Sequence, residues 1–252
     1  MGAGGRRRGA RALAAVTLAG ALAGGCTGGG EADGAKASGT PNAVKGSEAA
    51  RTPSAPAAPE RPALSVAELE KRGLEKADLP GYVLKKGWLK GFSSQVSDES
   101  HAACRPLARV MAGVSVGLPA TTAKPRNFRT APVPDRAPTI SVVSLASYVD
   151  GGAADAFAEV RRAAEACRDG FSLRDDREQP VDFAGVVPVR VEGGDQAQGW
   201  SLVEGRESLG AFHQLTVIRK GNVLVAMHSW KLGGDLVTQP RAVIDAQLRK
   251  LG

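Results

Sequence analysis

Apolar residues recur at intervals of three and four in two stretches of this chain. Between Ala153 and Cys167 they are Ala156, Phe157, Val160, Ala163, Ala164 and Cys167, with Gly170 just beyond; after Pro240 they are Val243, Ile244, Leu248 and Leu251. That period gathers them on one face, so helices are expected over 153–167 and 240–251. Ser65-Val66-Ala67-Glu68 has the spacing of a capping box and opens a short helix that stops at Gly73. A further helix is expected over 100–112, where Pro106 is tolerable only in the first turn.

Elsewhere the pattern shortens to that of strands. Residues 139–149 are rich in β-branched side chains and read as a buried strand. Leu79-Pro80-Gly81 turns the chain into a strand over 82–89, and four more are expected over 181–191, 197–204, 212–219 and 223–231. Lys220-Gly221-Asn222 makes the last two a hairpin, because glycine takes the positive dihedral that such turns require. If Lys220 faces Val223, then Val217 faces Ala226, Leu215 faces His228 and His213 faces Trp230, which sets both histidines and the tryptophan on one face. Residues 113–138 are broken by prolines and read as a long loop. Helices, then a meander, then a helix indicate an α+β domain: an antiparallel sheet with helices packed on one face.

The first 62 residues have neither period. Arg6, Arg7, Arg8 and Arg11 precede an apolar run from Ala12 to Ala23 and a small-residue end, the order of a secretory signal. A run of about 12 residues is short of the roughly 20 that a membrane-spanning helix needs, so cleavage is expected. Leu22-Ala23-Gly24-Gly25-Cys26 resembles the lipobox of bacterial lipoproteins, with Ala23 where leucine is preferred. The resemblance implies a signal peptide over 1–25, a diacylglyceryl group on the Cys26 sulfur and a further acyl chain, of the palmitate kind, on the new amino terminus. Two or more such chains anchor a protein stably to the outer face of a membrane. Residues 26–62 are Gly, Ala, Ser, Thr, Pro and scattered charge, with Val44 the only large aliphatic residue after Cys26. They cannot bury enough apolar area to offset the entropy of ordering, so a disordered linker is expected there, and one folded domain over 63–252.

Cleavage changes the charge balance. The whole chain has 33 basic and 26 acidic residues; without the four leader arginines the excess falls from +7 to +3. No basic stripe interleaved with aromatics is present, and nucleic-acid binding is not expected. Lys124, Arg126, Arg129 and Arg136 form one basic stretch, read as a solvated loop against the alternative of contact with anionic headgroups or wall polymer.

With Cys26 assigned to lipid, Cys104 and Cys167 remain. Outside the cell such a pair is expected to form a disulfide joining two helices; two buried thiols or a nucleophilic cysteine are the other readings.

Several features together resemble the extracellular sensor domain of PknH-type bacterial receptor kinases and the actinobacterial lipoproteins similar to it. They are Ala103-Cys104-Arg105-Pro106-Leu107, the helix closing in Ala166-Cys167, the late strand pair, and a terminal helix ending Gln247-Leu248-Arg249-Lys250-Leu251. The resemblance implies a cleft-bearing α+β fold that senses or binds a ligand at the cell envelope.

Candidate chemistry is sparse. Trp200, His213, His228 and Trp230 are the candidate ligand-binding residues, on a sheet face that lines a cleft or is plain core. Zinc on His213 and His228 would need a third ligand with no evident source, so no metal and no cofactor are expected. Gly199-Trp200-Ser201-Leu202-Val203 lacks the closing glycine and strand-to-helix turn of a nucleophile elbow. Asp175-Asp176, flanked by Arg174 and Arg177, reads as a solvated turn, and Gly28-Gly29-Gly30 lacks the Lys-Ser/Thr of a phosphate loop. The expected function is therefore binding or sensing without catalysis. The ligand would be a small molecule, lipid or envelope glycan, or else a membrane protein; the alternative is a structural or partner-docking lipoprotein.

Overall fold

In the computed structural model, residues 62–86, 92–96, 99–131, 137–205, 212–231, 237–238 and 240–252 are described. The expected leader, Cys26, the linker up to residue 61, and Arg136 lie outside them.

Ser65 caps helix α1 (Val66–Arg72): its hydroxyl accepts from the Glu68 N–H, and the Glu68 carboxylate accepts from the Ser65 N–H. Strands β1 (Tyr82–Lys86) and β2 (Phe92–Val96) follow. A 3₁₀ turn then leads into α2 (Arg105–Met111), where Pro106 sits in the first turn as the missing N–H requires. Next come β3 (Thr121–Thr122), β4 (Arg126–Thr130), β5 (Ile140–Ser147) and α3 (Gly152–Ala166). The meander is β6 (Phe171–Asp175), β7 (Pro180–Val189), β8 (Gln196–Glu204), β9 (Phe212–Lys220) and β10 (Val223–Lys231), and α4 (Arg241–Leu251) closes the chain.

All ten strands join one antiparallel sheet in the order β1-β4-β5-β10-β9-β8-β7-β6-β2, with β3 and β4 end to end along β5. The α+β class and the antiparallel sheet are as expected. The helices, however, divide between two faces where the sequence reading put them on one. Leu224 and Ala226 of β10 face a cluster that holds Leu107 and Met111 of α2 with Phe157 and Val160 of α3. Val223, Val225 and Met227 face the opposite cluster, with Leu69 of α1 and with Val243 and Ile244 of α4. The physical reason is in the central strands: β5 and β10 are buried at consecutive positions, without the alternation of a half-exposed sheet, so each face requires a cover. Among the described residues, both clusters are built from side chains between Leu64 and Leu251.

The stretch 113–138, expected as a loop, contributes β3 and β4. Its basic character hid β4, because Arg126 is buried at 3% exposure rather than solvated. Its guanidinium meets the Glu70 carboxylate of α1 at 2.7 Å and also donates to the Lys124 carbonyl. Burial acts to raise the Glu70 pKa, but the Lys124 N–H and the Arg126 guanidinium outweigh it and hold the carboxyl below its ordinary range. This pair fastens α1 to β4. Strands β2 and β6 were also unforeseen.

Cys104 and Cys167 are joined as a disulfide with their Cα atoms 5.9 Å apart. Cys104 is the N-cap of α2 and Cys167 the C-cap of α3, so the bond locks the start of one helix to the end of the other. Three residues on, Gly170 has φ of +108°, and a Cβ there would stand 2.3 Å from the Phe183 carbonyl oxygen of β7. Only glycine lets the chain leave α3 and enter β6 so close to its neighbour.

Replacing both cysteines by alanine frees a span of 63 residues in the unfolded chain. The chain-entropy treatment puts the loss at about 4 kcal/mol. Urea denaturation of the domain measures it, and an unchanged midpoint would contradict the stapled arrangement.

Candidate functional site

Hairpin pairing runs from Lys220↔Val223 through Val217↔Ala226 and Leu215↔His228 to His213↔Trp230, the register read from Gly221 and Asn222. Trp200 pairs with Leu215 on β9, so Trp200, His213, His228 and Trp230 do share one sheet face. The structure does not bring all four together. His213 and His228 are 1% and 0% exposed, packed within an aromatic cluster, while Trp200 floors a groove on the far side of that face.

In the cluster, the His228 ring stacks on Trp230 with centroids 4.7 Å apart, and on His213 at 5.2 Å. Phe92 of β2 and Phe183 of β7 meet His213 edge-on at 5.4 and 5.2 Å. Neither described cavity reaches the histidines, so this part of the face is core.

Hydrogen bonding fixes the tautomers. His228 Nδ1 lies 2.9 Å from the Met111 carbonyl oxygen, which only accepts, so Nδ1 holds the proton. Burial first, then the neighbouring His213, press the His228 pKa well below its ordinary value, and the ring is neutral. Its Nε2 therefore accepts, and His213 Nδ1, 2.9 Å away, donates. His213 is held neutral by burial, against the opposing pull of Glu204. Its Nε2 is left as a buried lone pair without a hydrogen bond, 3.8 Å from Glu204 Oε2. With both rings committed to each other and to backbone, they offer no ready pair of metal donors. Among the described residues no three His, Cys, Asp or Glu side chains converge as a metal set.

The groove has a different origin. Strand β6 pairs only with Pro180–Phe183 of β7, so the continuation of β7 runs on without it. The Val186 N–H turns away from β8 to bond the Arg168 carbonyl at the end of α3. Two residues on, in the same orientation, stands Pro188, which has no N–H to leave unsatisfied; proline at an edge also discourages an added strand. Between this edge and α3 lies a cavity of about 710 Å³. Trp200, Val186 and Pro188 form its apolar floor, and Gln198 reaches across to donate to the Val189 and Gly199 carbonyls. The opposite wall is Ala158, Arg161, Arg162, Ala164 and Glu165 of α3, with Arg168 just past the helix end. Sequence reasoning named Trp200 alone of these; the readable signal was the arginine stripe at helical spacing, opposite the apolar face of α3.

Of the other motifs, Gly28 to Gly30 lie outside the described residues. Gly199 to Val203 are interior to β8, and Asp175 Oδ1 accepts from the Arg177 and Gln179 N–H groups in the turn after β6.

No protein-family model and no curated protein matches the chain. Among solved structures, the extracellular domain of PknH from Mycobacterium tuberculosis superposes with a TM-score of 0.50 at 11% identity, covering 75% of this chain and 97% of that one. The two share a fold. No helix among the described residues is long and apolar enough to cross a membrane.

The histidine pair makes stability depend on pH with a definite sign. Since the folded-state pKa values lie below the ordinary 6.5, the unfolded chain takes up protons first as pH falls. The contribution of the neutral pair is complete above about pH 6.5 and is lost below it, by up to about 1.4 kcal/mol per histidine per pH unit, until the folded-state value is reached. Thermal melts at pH 7.5 and 5.0 measure this against a His213→Asn/His228→Asn variant, whose acid sensitivity should be smaller; equal sensitivity would place the titration elsewhere.

Proposed function

We propose that this chain is an exported, lipid-anchored protein of the cell envelope whose folded domain binds a small ligand at its surface and performs no catalysis. The groove between α3 and β7–β8 is the observation that carries the binding part. Its volume of about 710 Å³ falls in the range of small-molecule sites, and it joins an apolar floor to a few charged side chains. Nothing in it pairs a nucleophile with a base, as acyl or glycosyl transfer demands.

Export and anchoring rest on other support. The leader has the tripartite order of a secretory signal, and Cys26 stands where a lipobox cysteine would. A disulfide persists in an oxidising exterior, and the fold is shared with a domain that is extracellular in its own protein. A docking role through an apolar face finds less support. The exposed large apolar side chains among the described residues are Val66, Leu118, Val149, Val187 and Val203, scattered over separate segments.

Two experiments test the two parts. Full-length protein in its producing cell should partition with membranes, and Cys26→Ser should move it to the aqueous fraction; retention of the variant in the membrane would refute the anchor. Native mass spectrometry of the compact unit Ala55–Gly252, secreted by that cell, should show an added mass. Ala158→Trp, which fills the groove, should lose it, and an added mass that survives would place the ligand elsewhere.

A further inference from the structure

From the chemistry of its two walls, we infer that the groove takes an acidic amphiphile: a phosphate or carboxylate head on the arginine side and an apolar body along the Trp200 floor. The inference rests on the reading of this groove as the ligand site and adds the class of molecule that fits it.

The arginine wall is one stripe of α3. Ala158, Arg161, Arg162 and Glu165 stand at positions i, i+3, i+4 and i+7, so their side chains leave the helix on one side, above the groove, and Arg168 follows just past the helix end. Three arginines stand against one glutamate, which leaves two positive charges in excess. Glu165 is itself engaged by Arg168 at 3.3 Å. Arg161 and Arg162 have no ion pair among the described residues. Two exposed guanidiniums on adjacent residues present several N–H donors in planar forks, the geometry that matches a carboxylate or phosphate. The floor asks for the opposite chemistry. Val187 and Pro188 expose carbon, Trp200 and Val186 lie beneath them at 4% exposure each, and the Gln198 amide already donates to two backbone carbonyls. A fully polar anion would leave that floor wet, and a neutral hydrocarbon would leave the guanidiniums unmatched. A molecule with both parts satisfies both walls. Pro188 and the short β6 keep the β7 edge from pairing with a further strand, so the groove stays open to such a ligand.

The test uses the compact unit over residues 55–252, which contains both described clusters, and four decyl-chain probes below their micellar range: decanoate, decyl phosphate, decan-1-ol and decyltrimethylammonium. Calorimetric titration should show at least one anionic probe binding ten-fold or more tightly than both the alcohol and the ammonium. Preference for decyl phosphate points to a phospholipid-type head, and preference for decanoate to a free acid. Arg161→Gln/Arg162→Gln should remove the preference while the melting temperature holds, because both side chains are solvent-exposed. Added salt should weaken the anionic probes and leave the alcohol unchanged. Equal affinity for the alcohol and the anions, or a preference that survives in the double variant, overturns the inference. If that result coincides with a co-purifying mass that Ala158→Trp abolishes, the groove stands as a site for another class of ligand. If Ala158→Trp changes nothing, the groove reading falls with it.

Discussion

Covering both faces of the central strands is the constraint on which the rest of this structure depends. β5, β9 and β10 place apolar side chains on either side of the sheet, and neither set tolerates water. The short α1 and the terminal α4 answer one face; α2, α3 and the aromatic residues of β2 and β6 answer the other. The disulfide and the Arg126–Glu70 pair hold these covers in register. One ties two helices on the same face, and the other fixes a helix to β4.

Where the cover is complete the sheet is core, and where it stops a groove opens. The histidines fall under the complete part. Burying two imidazoles is unfavourable unless their nitrogens are matched, and the run from the Met111 carbonyl through His228 to His213 matches all but the last. Trp200 falls at the boundary, where β6 ends and α3 leans over the bare continuation of β7. One sheet face thus has two unrelated characters within the width of three strands.

Much of this arrangement was legible in the sequence, because turn chemistry fixes register. Gly221 and Asn222 determined which residues oppose one another across the hairpin, and the structure reproduces that pairing at each of the four foreseen positions. The capping box at Ser65 and the period of α3 likewise depend on neighbours within one turn. What escaped is set by contacts distant in sequence. Arg126 reads as solvent-facing until Glu70, 56 residues earlier, is brought beside it. The uncovered continuation of β7 depends on how early β6 stops pairing, which no local pattern encodes. The continuous apolar run Val223 to Met227 of β10 did carry the message of a sheet covered on both sides, whereas the serines of β5 obscured it there.

The way the chain enters the domain has a mechanical side. Before α1 begins, the Pro62 carbonyl accepts from the Asn222 side chain at the hairpin turn, the Leu64 N–H donates to Ser147 Oγ, and the Leu64 carbonyl accepts from Thr121 Oγ1. Tension applied at Pro62 would load these bonds together with Leu64, which packs against the α1–α4 cluster. The three bonds reach the β9–β10 turn, β5 and β3, so such a load would be shared among separate parts of the sheet instead of falling on α1 alone.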